Sequence, residues 1–136
     1  MKFVVSLNAH QPNMWAYQEG FIEGDLKIYL HERLYFHDPY INVAEFGNQL
    51  GKWLNKVQQG LLEQMNYTSI DHDEVIMSFT YERADTWRIH SIWQEFESDK
   101  LISTENLVEG VKNYLVDLNH ELHKIKYCIK MDKYLR

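Results

Sequence analysis

Seven histidines, one cysteine and a surplus of carboxylates are the residues of this chain that could do chemistry, and their spacing decides what each could do. His120-Glu121-Leu122-His123 leaves two residues between its imidazoles, where the zinc-protease helix leaves three, so the second histidine turns away from the first. His120 also falls opposite the apolar stripe of its helix, and no third ligand is placed by the sequence. A solvated pair is expected, with no zinc needed for folding. Asp71-His72-Asp73-Glu74 could hold a hard cation, but it lacks the spacing and the glycine of a calcium loop and reads as a solvated turn. His31, His37 and His90 belong to no common pocket. Cys128, beside Tyr127, has no helix N-terminus to activate it. The chain has neither a phosphate-binding glycine loop nor a nucleophile elbow. No catalytic residue, metal ligand or cofactor is therefore expected.

What remains is electrostatics. Residues 66–99 carry eight carboxylates against two arginines, a difference equal to the whole net charge of −6. Within them runs FTYERADTWRIHSIWQEFE, Phe79 to Glu97. A nucleic-acid groove would need the opposite sign there. An acidic surface made by Glu82, Asp85, Glu95, Glu97 and Asp99, with His90 and Gln94 supplying polar contacts, suits a basic protein partner. From Lys124 onward five basic residues stand against Asp132, and the tail reads as a solvated helix end.

The elements that must position these residues are legible from periodicity. Phe3 to Leu7 is a short β-rich run, and Leu26, Ile28 and Leu30 alternate with polar neighbours before a turn near Glu32. Asn42, Glu45 and the pair Ile41 and Phe46 form a complete helix-start signal: N-cap, capping-box acid and hydrophobic staple. A helix over 43–62 follows, with Phe46, Leu50, Trp53, Leu54, Val57 and Leu61 as its stripe. Gly47 and Gly51 lie beside that stripe at a helix-propensity cost of up to about 1 kcal/mol each, which a close-passing strand or helix, or a smooth dimer or partner surface, would offset. Val75, Met77, Phe79 and Tyr81 then share one face, as do Trp87, Ile89 and Trp93. If Tyr81 pairs with Trp87 the two runs form a hairpin with one dry side and a loop over 82–86. Trp53, Trp87 and Trp93 are expected in the core, while Trp15 belongs to no pattern. A second helix over 104–125 is capped by Ser103, stapled by Ile102 and Leu107, and striped by Val111, Tyr114, Leu118, Leu122 and Ile125.

These elements predict a single α+β domain over 1–136, an antiparallel sheet of five to six strands with both helices on one face. A chain of 136 residues can bury a real core. The apolar run after Lys2 is too short for a signal peptide, no stretch suits a membrane span, and one cysteine forms no internal disulfide. A cytoplasmic protein that binds neither membrane nor nucleic acid is the expectation.

The combination DEVIMSF, WRIHSIWQEFE and LVEGVKNYLVDLNHEL, between Asp73 and Leu122, resembles small bacterial immunity-type proteins, the antidotes to polymorphic or contact-dependent toxins. The resemblance implies a non-enzymatic protein that covers an essential surface of its toxin, and it transfers no particular residue. Two other readings stand beside it: a small enzyme or ligand-binding domain with a pocket between sheet and helices that uses His90, and a homodimerising structural module.

Overall fold

The computed structural model describes residues 1–8, 22–68, 74–124 and 131–135. Expectations concerning Trp15, Asp71, His72, Asp73, Ile125 and Cys128 lie outside the described residues. The chain folds as strands β1 (Lys2–Leu7), β2 (Glu23–Leu30) and β3 (Arg33–Asn42), helix α1 (Val43–Gln58), strands β4 (Met65–Tyr67), β5 (Met77–Arg83), β6 (Thr86–Ser91) and β7 (Ile102–Ser103), helix α2 (Thr104–Lys124) and a short 3-10 helix (Asp132–Tyr134). No helix among the described residues is long and apolar enough to cross a membrane.

Both helix starts follow their sequence signals. The Asn42 side chain accepts the Glu45 amide at 3.2 Å, and the next free amide, Val43, donates to the Ile22 carbonyl. Ser103 does the same for α2, its hydroxyl accepting the Asn106 amide at 3.1 Å. The end of α1 was less legible. Gly60 adopts φ 86°, its amide donates to Val57 and the Leu61 amide to Lys56, the paired bonds of a Schellman stop. The helix therefore ends at Gln58, and Leu61, expected on the stripe, is exposed.

The α+β class holds, but the single sheet divides in two. All pairings are antiparallel: β1-β2-β3 form one sheet and β4-β5-β6-β7 the other. The physical reason lies at the outer edge of β3. A register shift leaves Tyr35 without a partner in β2, and its carbonyl accepts the Glu95 amide at 2.7 Å. An irregular segment thus occupies the edge where a continuous sheet would carry a fourth strand.

The two dry faces meet on α1. Its buried residues spread over about half the helix circumference at 100° per residue, far wider than a single-sheet stripe. The Phe46 ring touches Phe3 of the first sheet, Tyr67 of the second and Tyr114 of α2, at centroid distances of 6.4, 4.9 and 5.5 Å. Lower on the helix, Trp53 packs edge-on against Phe79 and Trp87. Helix α2 lies beside α1 in the same direction, Tyr114 donating to the Val43 carbonyl at 2.8 Å and Leu118 reaching Gly47 one turn on.

That approach explains the glycines. A Cβ on Gly47 would lie 2.6 Å from Leu118 Cδ2, and one on Gly51 would overlap the Tyr134 ring. The neighbour over Gly51 is the C-terminal turn, expected to be solvated. Instead Met131 and Tyr134 are buried, tied down by Asn119, which accepts the Met131 amide and donates to Asp132, and by a bond from the Tyr134 hydroxyl to Asn48.

Leu118 is fully buried against Gly47. Leu118→Ala should destabilise by about 2 to 5 kcal/mol in chemical denaturation, as a cavity-forming change. Gly51→Ala should cost about 1 to 3 kcal/mol, because the Tyr134 ring has to leave its seat.

Candidate functional site

The hairpin of the acidic stretch forms as its alternation requires, with Tyr81 opposite Trp87 and their rings edge-on at 5.3 Å. The loop is tighter than expected. Ala84 and Asp85 both take positive φ, 50° and 61°, as a two-residue hairpin turn demands. The outward face of the hairpin shows Ser78, Thr80, Arg88 and His90, and the helices pack on the opposite side. His90 therefore points away from any pocket between sheet and helices.

Of the seven proposed contact residues, His90 lies on the outward face of the hairpin, and the other six separate into three groups. Glu82 sits in the register shift before the turn and accepts from Arg88 Nε at 2.8 Å, so its charge is matched locally. Asp85 serves the fold: its carbonyl accepts the Thr104 amide at 2.9 Å and its carboxylate the Thr104 hydroxyl at 2.7 Å, while the same hydroxyl accepts from Trp87 Nε1. A carboxylate beside the first residue of α2 is favourably placed against the positive end of the helix. Gln94 also turns inward, its Oε1 accepting the Tyr35 hydroxyl at 2.7 Å and the Ser91 amide at 3.3 Å. No local pattern contains this bond, because Tyr35 lies 59 residues away in sequence.

Glu95, Glu97 and Asp99 remain exposed, and the structure places them on a segment, 92–101, that leaves the sheet after Ser91 and returns at β7. Ser91 sits on the dry face where a larger apolar residue would continue the strand. Its hydroxyl instead donates to the Ile76 carbonyl and accepts the Trp93 amide, which turns the chain outward. Trp93 is thus not a strand residue. It stacks on Phe36 of β3 at 6.4 Å and keeps 37% of its surface exposed, beside Ile92 at 41%. Phe96 meets Tyr35 edge-on, and the Arg33 guanidinium lies 4.0 Å above its ring. The backbone bond from Glu95 to Tyr35 and these ring contacts hold the segment against β3. The result is a fixed apolar spot, Ile92 and Trp93, followed in the chain by three exposed carboxylates. The small residue Ser91, breaking the alternation of Trp87 and Ile89, was the one sequence signal that the strand ended there.

His120 and His123 are exposed on α2, and among the described residues no group of three or more histidines, cysteines or carboxylates is assembled that could hold a metal. His37 contacts Asp25 at 2.5 Å on the first sheet, and His31 lies at the tip of the β2–β3 turn, so the three histidines His31, His37 and His90 do not converge. Two tyrosines have shifted ionisation. Burial pushes the Tyr35 phenol up to about 12, partly offset by a backbone bond from Ser91, and burial also raises Tyr114 well above the usual phenol range, with Tyr67 adding to it. Both hydroxyls are spent on bonds that join separate parts of the core.

The architecture defines an α+β domain in which one helix is shared by two antiparallel sheets, with an acidic segment docked on the edge of the first. The chain belongs to the family described as a domain of unknown function, DUF7878, which matches residues 3–124, from β1 to the end of α2. No curated protein and no solved structure matches it.

The folded chain keeps the Tyr35 proton up to about pH 12, while the unfolded chain loses it near 10. Stability that is intact below about pH 10 should therefore fall as the pH rises toward 12. Tyr35→Phe should cost about 1 kcal/mol near neutrality, through the lost bond to Gln94, and should flatten part of that alkaline fall. Urea unfolding at several pH values measures both.

Proposed function

We propose that the protein is a non-enzymatic binding domain for a basic surface of another protein, in keeping with its resemblance to immunity-type proteins, whose partner would be a toxin domain. The observation that carries the reading is the segment 92–99. A rigidly seated, part-exposed tryptophan is the residue type on which protein interfaces concentrate their binding energy. Here it is held by Phe36 and followed by Glu95, Glu97 and Asp99. Carboxylates around such an anchor steer a basic partner and reject nucleic acid.

The contact surface is accordingly narrower than the sequence suggests. Glu95, Glu97 and Asp99 supply the field, Ile92 and Trp93 the anchor, and His90 and Glu82 lie on the neighbouring hairpin. Asp85 and Gln94 are engaged in bonds within the chain. A rigid segment suits this role, because little ordering entropy is lost when the partner arrives.

A partner captured from the native host should associate more slowly as salt rises, since screening shortens electrostatic reach to about 8 Å at physiological ionic strength. Glu95→Lys with Glu97→Lys should lower the association rate with the melting temperature nearly unchanged, because exposed charges contribute little to stability. Trp93→Ala should weaken the complex about 30-fold or more, about 2 kcal/mol. Unchanged kinetics in both variants would remove this segment as the site, and turnover of a small substrate by the purified protein would favour an enzyme.

A further inference from the structure

Independently of the acidic segment, the geometry points to a second docking site. We infer that the open edge of β1 accepts an extended, basic segment of a protein partner, which adds to the first sheet as a further strand. Among the described residues β1 pairs only with β2. The Asn8 amide donates to the Glu23 carbonyl, which sets the phase of the ladder. By the alternation of an antiparallel pair, Ser6, Val4 and Lys2 bond inward to β2, while Leu7, Val5 and Phe3 direct their amides and carbonyls to the open side. The Met1 carbonyl follows the same phase: it faces α2, where only the missing side chain of Gly110 leaves room for it.

The open edge is the floor of a groove. Three clefts of about 570, 420 and 410 Å³ run along it, all lined by Lys2. The first reaches the β2–β3 turn, at His31 and Glu32, and the start of α2; the other two lie between β1 and the flank of α2. Both turn residues take positive φ, 51° and 65°, which holds that end of the groove as a tight two-residue hairpin. The α2 wall presents Glu109, Asp117 and Glu121, with Val116 exposed between them, and Val4 is exposed on the β1 side.

Six residues of edge match an incoming strand of about six residues, or about 20 Å. Strand addition of this kind draws affinity from main-chain bonds and selectivity from the side chains that line the wall. Glu121 is matched by Lys124 at 2.6 Å, so Glu109 and Asp117 on the wall and Glu32 at the end, against Lys2, select lysine or arginine in the incoming segment. They also disfavour a second copy of this chain. Antiparallel pairing of two β1 edges has its two-fold axis normal to the sheet, which would put both α2 walls on the same side and bring like charges together.

The test uses the intact protein and a synthetic peptide, Lys-Val-Lys-Val-Lys-Val, followed by amide hydrogen exchange. Saturable binding that slows exchange at Phe3, Val5 and Leu7 is expected. The amides of Lys2, Val4 and Ser6, already bonded to β2, should change little. A fully N-methylated peptide and a Glu-Val counterpart should not bind. Glu109→Lys with Asp117→Lys, both exposed, should weaken binding at least 10-fold, and Glu95→Lys with Glu97→Lys should leave it unaltered. No binding, binding that leaves exchange at Phe3, Val5 and Leu7 unaffected, or concentration-dependent protection of those amides without peptide, which would signify self-pairing, would each overturn the proposal.

Discussion

Phe46 is the point on which the structure depends. Its ring meets one aromatic residue from each of the three bodies that surround α1: Phe3 in the first sheet, Tyr67 in the second and Tyr114 in α2. Two sheets that do not share a strand pairing can form one core only if some element is apolar toward both, and α1 is that element. Its buried arc covers about half the helix, which leaves the remaining half to water. Side chains alone could not satisfy this crowding. Where α2 and the C-terminal turn press closest, α1 carries Gly47 and Gly51, and the helix-propensity cost of each, about 1 kcal/mol, is offset by the packing their missing side chains permit.

Polar residues at the junctions between elements serve the same assembly. Asp85, Thr104 and Trp87 join the turn of the second sheet to the start of α2, and Tyr35, Gln94 and Ser91 join the first sheet to the segment that leaves β6. Each set links elements far apart in sequence and satisfies groups that would be costly to bury alone. These bonds divide the acidic stretch by role. Asp85 and Gln94 are committed to the fold, Glu82 is matched by Arg88, and Glu95, Glu97 and Asp99 remain available to a partner. A carboxylate surplus counted along the sequence therefore overstates the surface it produces.

Among the described residues, the same packing leaves the outer edge of β1 without a paired strand. The edge of β1 runs beside the acidic wall of α2, and the missing side chain of Gly110 lets the helix approach the Met1 end of that edge closely. The docked segment on β3 shows how such an edge is closed from within the chain: one backbone bond, to Tyr35, and aromatic contacts on either side. Among the described residues the two edges of the first sheet thus differ: one is capped by the chain itself and the other pairs with no further strand.

Local chemistry was readable without the structure. The N-caps Asn42 and Ser103, the stripes of both helices, the Tyr81–Trp87 pairing and the close neighbour at Gly47 and Gly51 all follow from residues a few positions apart, since helix and strand periods and caps are short-range. The net charge and its clustering in 66–99 were equally plain. The stop at Gly60 was present in the sequence, but the apolar period running on to Leu61 masked it. Other features could come only from tertiary structure. The division into two sheets rests on Tyr35 meeting Glu95, the burial of the C-terminal turn on Asn119 meeting Met131, and the inward turn of Gln94 on a tyrosine 59 residues away. Periodicity reports which face of an element is dry and is silent about which distant element dries it. Exposed carboxylates and structural ones look alike until the chain brings their partners to them.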